Sequence, residues 1–184
     1  MASQKGFWPI DRDPHTELMV DVDSANGAAI YVGDLVSVVA AGTVNASTAG
    51  DANIVLGSVL AVYDSNGNSA GHPNGSLSTK YLPASTAGKV LVALAIPGRR
   101  FRAQSATALT SAARFASSDH VVGSGSSTTG LSASTVNGAD LNSGGQVFIV
   151  DLYPEPGNSY GANQSLIVIF NEGYLMGTGK STGI

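Results

Sequence analysis

The feature that most constrains this chain is its punctuation. Short runs of Val, Ile, Leu and Tyr recur along it, and Gly, Asn, Ser and Asp stand between them. Asn-Gly, which tolerates the positive φ angles of tight hairpin turns, occurs at Asn26-Gly27, Asn66-Gly67, Asn74-Gly75 and Asn137-Gly138. Glu17 to Asp23 alternates, with Leu18, Val20 and Val22 on one face, the pattern of a half-buried strand. Further strands are expected at Ala29–Val32, Leu35–Val39, Ile54–Val62, Lys89–Ile96, Arg100–Gln104, His120–Val122, Gln146–Leu152 and Ser165–Asn171, all suited to a pleated surface. The one helical window, Thr107–Phe115, allows a few turns at most. Short strands with Gly-rich turns predict an all-β sandwich or barrel of about eight to ten strands, with long Gly/Ser/Asn loops at Ser65–Ser78 and Gly123–Gly145.

Composition limits the core these strands can share. Val, Leu, Ile and Phe make 45 of the 184 residues, above the roughly one-fifth below which chains tend to stay disordered. The core is affordable but lean, and the expected organisation is an extended N-terminal arm (1–16), a single β domain (17–176) and a flexible C-terminal tail (177–184). Pro9 and Pro14 argue against a helix through the arm. Phe7 and Trp8 argue against simple fraying, since large aromatics gain most from burial. The arm is expected to dock, with a partner chain as the surface that orders it.

Charge and residue inventory exclude several classes of function. Nine basic against thirteen acidic residues give a net charge of −4, so no pervasive basic surface for nucleic acid exists. Without Cys there are no disulfides, thiolate nucleophiles or thiolate metal sites. No apolar signal region follows Lys5, and Val90–Pro97 is too short to span a bilayer, so a soluble protein made in a cytoplasm and independent of membranes is expected. His15, His72 and His120 share no metal-ligand spacing and are expected on the surface or in loops. Asp64-Ser65-Asn66-Gly67-Asn68 hints at a calcium loop but lacks its closing Glu. Gly177-Thr178-Gly179-Lys180-Ser181 ends like a phosphate loop, but Tyr174 stands where the first Gly belongs. No catalytic residues, cofactor or metal are expected.

The sharpest local feature is Pro97-Gly98-Arg99-Arg100-Phe101-Arg102. In a strand, Arg100 and Arg102 share one face and Phe101 takes the other. Two readings are open: Arg99, Arg100 and Arg102 dock a carboxylate-rich partner through forked guanidinium contacts, or they protect an edge strand by charge.

The order of segments is familiar. Gly6-Phe7-Trp8-Pro9 is followed by Ile30-Tyr31-Val32-Gly33-Asp34-Leu35-Val36, then Leu56–Tyr63, Gly88–Ala93, Ala108–Ala113, Gly123–Ser132 and Asn163–Leu175. Over roughly residues 6–175 this resembles the capsid decoration, or cement, proteins of tailed bacteriophages. The resemblance implies a non-enzymatic virion protein on the capsid exterior, made in the host bacterial cytoplasm. Its partners would be the major capsid protein and further copies of itself, as a dimer or trimer bridging neighbouring capsid subunits. Phe7, Trp8, Arg99, Arg100 and Arg102 are the expected partner-binding residues. A carbohydrate-binding β-sandwich or head-fibre adhesion module is the alternative, with Tyr63, Tyr81, Tyr153 and Tyr160 near loop edges to stack on sugars.

Overall fold

The structure, a computed structural model, describes residues 4–11, 13–39, 42–50, 54–142, 144–171 and 173. The polypeptide is all-β, with 3-10 turns at Pro14–Thr16 and Ser111–Ala113. Its strands are β1 (Trp8–Pro9), β2 (Glu17–Val22), β3 (Leu35–Val38), β4 (Val44–Ala46), β5 (Val55–Asp64) and β6 (Gly88–Leu94). They continue with β7 (Phe101–Gln104), β8 (Ser117–Val121), β9 (Thr135–Asn142), β10 (Val147–Leu152) and β11 (Ser165–Phe170).

Two sheets result. Strands β2-β4-β3-β5-β6 close into a barrel, in which β2 meets β4 in parallel and all other pairs are antiparallel. Strands β1-β7-β11-β10-β8-β9 form an open antiparallel sheet. Two bulges in β5 help the barrel close: the register shifts so that Leu56 and Leu60 are extra residues against β3 and β6. Each bulge adds local twist and bends its strand. The bulge at Leu60 also explains why Val59 and Val62, three apart, both belong to the barrel core.

Period-two alternation then builds two cores from the same strands. Val36, Leu56 and Val92 point into the barrel with Val22, Val44 and Val90. Their neighbours Leu35, Val55 and Ala93 point out of it, into a second core with Phe101, Val147, Ile149, Leu166, Val168 and Phe170 of the open sheet. Along Val55–Val59 the barrel wall is therefore buried on both faces, and the run reads as unbroken instead of alternating. Each such Val or Leu contributes about 1.5–3 kcal/mol when fully buried.

Several expectations are corrected. The loop expected over 123–145 contains β9, and Asn137-Gly138 lies inside that strand and not in a turn. There four residues of β9, 137–140, face Asp119 alone, between the pairs Ser118–Leu141 and His120–Val136. Ala29–Val32 forms only isolated bridges, Ile30 to Leu82 and Val32 to Leu131. The segment 1–16 is no separate arm where it is described: β1 is the edge of the open sheet, paired with β7 through Trp8–Arg102 and Pro9–Phe101. The tail 177–184, with its phosphate-loop-like end, lies outside the described residues. Among the described residues, no helix is long and apolar enough to cross a membrane.

Candidate functional site

The five residues singled out from the sequence come together at the N-terminal segment, but the fold itself uses them. Phe7 is fully buried. Its ring centroid lies 5.9 Å from that of Phe170 and 6.3 Å from that of His120, edge to face with the latter. Its carbonyl accepts the Ser58 hydroxyl, and its N–H donates to Gly33 O at 2.9 Å. Trp8 is half-buried, and its Nε1–H donates to Lys5 O at 2.8 Å. The indole lies across Gly33, where any Cβ would sit 3.0 Å from the ring on a backbone already at φ +94°. The segment thus docks on its own chain, which corrects Phe7 as a partner contact.

Arg99 is buried, and its guanidinium donates to Thr16 O at 2.8 Å, clamping the stretch before β2 to the end of β6. That corrects its expected role on an acidic partner. Arg100 pairs with Asp11 at 2.9 Å, with both side chains at least half exposed. Arg102 pairs with Glu155 at 2.8 Å, donates to Ser165 Oγ at 3.1 Å and lies 4.9 Å above the Tyr153 ring. Phe101 is buried on the opposite face, as the alternation requires. Because β7 lies between β1 and β11, edge protection is not its task either.

The chemistry-bearing residues at the barrel–sheet junction were harder to read. His120 was expected on the surface; it is 1% exposed. Its Nδ1 lies 2.7 Å from Gln146 Oε1, and burial holds its pKa below the ordinary 6.5 against opposing contacts from Gln146 and the Ser47 carbonyl. Across the junction, Asp34 accepts the hydroxyls of Ser132 and Ser134 on Oδ1 and the Tyr31 N–H on Oδ2 at 2.8 Å. Burial raises its carboxyl above the ordinary 3.8, and those hydrogen bonds oppose the rise.

These two residues line a cavity of about 180 Å³ together with Ala28, Ala29, Ser134 and Val122. An adjoining groove of about 270 Å³ shares Ala28, Ala29, Val122 and Gly123 and adds Tyr31 and Ser124. Tyr31 is held there by pairing. Ile30 and Leu82 exchange both backbone hydrogen bonds and point into the barrel core. The next residues, Tyr31 and Tyr81, therefore form a close cross-strand pair on the opposite face. Their rings stack at 4.7 Å with an 18° tilt. Gly125 lies against the Tyr31 ring so closely that a Cβ would be 2.3 Å from it.

Of the tyrosines expected to meet sugars, Tyr81 belongs to this stack, Tyr153 lies beneath Arg102 and Tyr160 reaches toward Asp151 at 3.5 Å. Tyr31 was missed, although the matching dipeptides Ile30-Tyr31 and Tyr81-Leu82 carried the signal. The calcium hint at Asp64 resolves into a loop anchor: its carboxylate accepts the N–H groups of Asn66, Asn68 and Ser76 at 2.8–2.9 Å. Among the described residues, no group of three or more His, Asp or Glu is placed to hold a metal. Compared with known proteins, the chain matches no family model, no curated protein and no solved structure.

Proposed function

We propose that this is a non-enzymatic virion structural protein that binds the outer surface of a capsid and bridges neighbouring subunits to stabilise the shell. The observation that carries the reading is that large apolar side chains stay exposed on both halves of a body joined through a shared core. On the barrel, Leu18 and Met19 of β2 are 47% and 44% exposed. On the open sheet Phe115 is 63% exposed, and it holds φ +64°, which bulky residues rarely adopt. Its ring lies 6.3 Å from that of Phe148, and Arg114 is fixed over it by an ion pair to Asp151. A single exposed aromatic is ordinary, but one held at an unusual φ is a candidate contact point.

A bridge needs two contact points fixed relative to each other, because its preference for the assembled shell comes from engaging both at once. Leu35, Val55 and Ala93 join the two halves through the core they share with the open sheet. Assembly as a dimer or trimer on a local symmetry axis would multiply modest contacts. The test compares survival of genome-filled particles under heat or osmotic shock with and without this protein. Met19→Glu on the barrel and Phe115→Ser on the sheet should each weaken binding to particles while the protein stays folded. If undecorated particles keep their genomes equally well, the reading fails.

A further inference from the structure

We infer that the free flank of β2 is a docking edge that takes one extended strand from a partner, apolar at its centre and basic on either side. This deepens the shell-binding reading by naming what the exposed Leu18 and Met19 of the barrel meet. It rests on that reading only for where the partner strand comes from.

The barrel closes at one point. β2 runs beside β6 for six unbroken pairs, from Glu17–Ala93 to Val22–Gly88. On its other side it meets β4 only through Val22–Val44, and Asp23 N–H donates to Val44 O at 3.1 Å. Backbone groups along a strand turn to alternate sides. The Asp23 bond therefore sets the odd residues of β2 toward the β4 side. β6 agrees: Ala95 N–H donates to Leu56 O, so its odd residues serve β5 and its even ones serve β2. Met19 thus turns both its N–H and its C=O to a flank on which, among the described residues, no strand pairs before Val22. The ends of the open sheet are shielded: β1 is two residues with Pro9 in it, and Val136 of β9 is met by Ser105 and Ala106. β2 contains no Pro, no Gly and no bulge against β6.

The side chains select the occupant. Val20 and Val22 pack with the barrel core, and Leu18 shares their face while staying 47% exposed. Met19, 44% exposed, stands on the outer face between Glu17 and Asp21. Lys89 pairs with Asp21 from the β6 side, yet the Asp21 side chain remains 64% exposed. An added strand therefore finds apolar neighbours at Leu18, Met19 and Val20, and a carboxylate two residues to either side of Met19. The matching strand carries apolar residues between two Lys or Arg, held by main-chain bonds and specified by side chains. A second copy fits badly. Twofold antiparallel pairing about Met19 sets Glu17 opposite Asp21 at both ends, and like charges directly opposite destabilise a pair.

The experiment is amide NMR on the full chain. The probe is a short blocked peptide with Lys on each side of a Val-Ile-Val centre, and the control is the same peptide with Glu for Lys. In the free protein the Met19 amide should exchange quickly, and those of Leu18 and Val20 slowly. The Lys peptide should shift the resonances of residues 17–21 and slow Met19 exchange; the Glu peptide should do neither. Met19→Pro removes an outward N–H and no β2–β6 bond, so Leu18 and Val20 should stay slow while peptide binding weakens about tenfold or more. Asp21→Asn should weaken it about twofold to fivefold, the scale of one exposed ion pair. No response to the Lys peptide, an equal response to the Glu peptide, or full-strength binding by Met19→Pro would each overturn the assignment. Met19 protection that grows with protein concentration would also overturn it, by naming a second copy as the occupant. None of these readouts uses particles. A silent peptide beside stabilised particles sinks this edge and spares the shell-binding reading, whereas a bound peptide without particle stabilisation supports the edge and removes the shell as its partner.

Discussion

Two aspartates, both nearly removed from solvent, are held in opposite ways. Asp34 at the junction is 7% exposed and Asp64, where β5 turns toward β6, is 2% exposed. Asp64 meets backbone N–H groups of Asn68, Ser76 and Asn66, and chiefly those of Asn68 and Ser76 hold its pKa down at about 2. Asp34 meets two hydroxyls and one N–H, and burial prevails. A backbone N–H can only donate, so it locks a carboxylate in its charged form. A hydroxyl donates or accepts, so it serves either protonation state. At Asp34 desolvation outweighs the donors, and at Asp64 the donors outweigh desolvation, so the balance between the two decides charge. The loop anchor is a fixed anion, whereas the junction carboxyl is adjustable.

The largest test of the comparison removes the junction's apolar support. Phe7→Ala should cost about 3–5 kcal/mol, because it opens a cavity against Phe170 and His120. Both cores should melt in one transition; a barrel that survives separately would show that the junction does not couple them. Next, Asp34→Ala strands two hydroxyls and an N–H, for a loss of about 3 kcal/mol in global unfolding. Asp34→Asn should lose less. Asp64→Ala should act locally, with faster hydrogen exchange and proteolysis in the 65–87 connection and a smaller shift in melting temperature.

Acid titration sharpens the contrast further. The folded pKa of His120 lies below 6.5, so its stabilisation is present above pH 6.5 and is lost as pH falls through the lowered value. Asp34, raised above 3.8, contributes stability below that value and loses it as pH rises through its folded pKa. The Asp64 contribution is present above 3.8 and lost only as pH falls toward about 2. Melting curves against pH should therefore show separate losses in weak and strong acid. His120→Gln should remove the first and Asp64→Asn the second. The smallest effect belongs to the surface: Arg100→Ala should cost about 0–1 kcal/mol, whereas buried Arg99→Ala should cost about 2 kcal/mol.

The strands rich in Val, Ile, Leu and Phe, such as Leu35–Val38 and Val147–Leu152, were legible because such residues favour a pleated surface whichever face they take. Val44–Ala46 and Thr135–Asn142 were not, since small and polar side chains carry little periodicity and tertiary pairing decides. The arginine cluster was visible as a cluster, but its acids, Asp11 and Glu155, are brought to it only by the fold. His120 opened an expected strand, but the polar Ser117-Ser118-Asp119 before it gave no sign that its side chain would be buried. Its burial follows from the second core, which no local window contains.

The position of Phe7 has a consequence for how the protein is made. It packs on Phe170, which leaves the ribosome 163 residues later. At about 5–20 residues per second, that interval is about 8–30 s. Throughout it, Phe7 has no completed core to join.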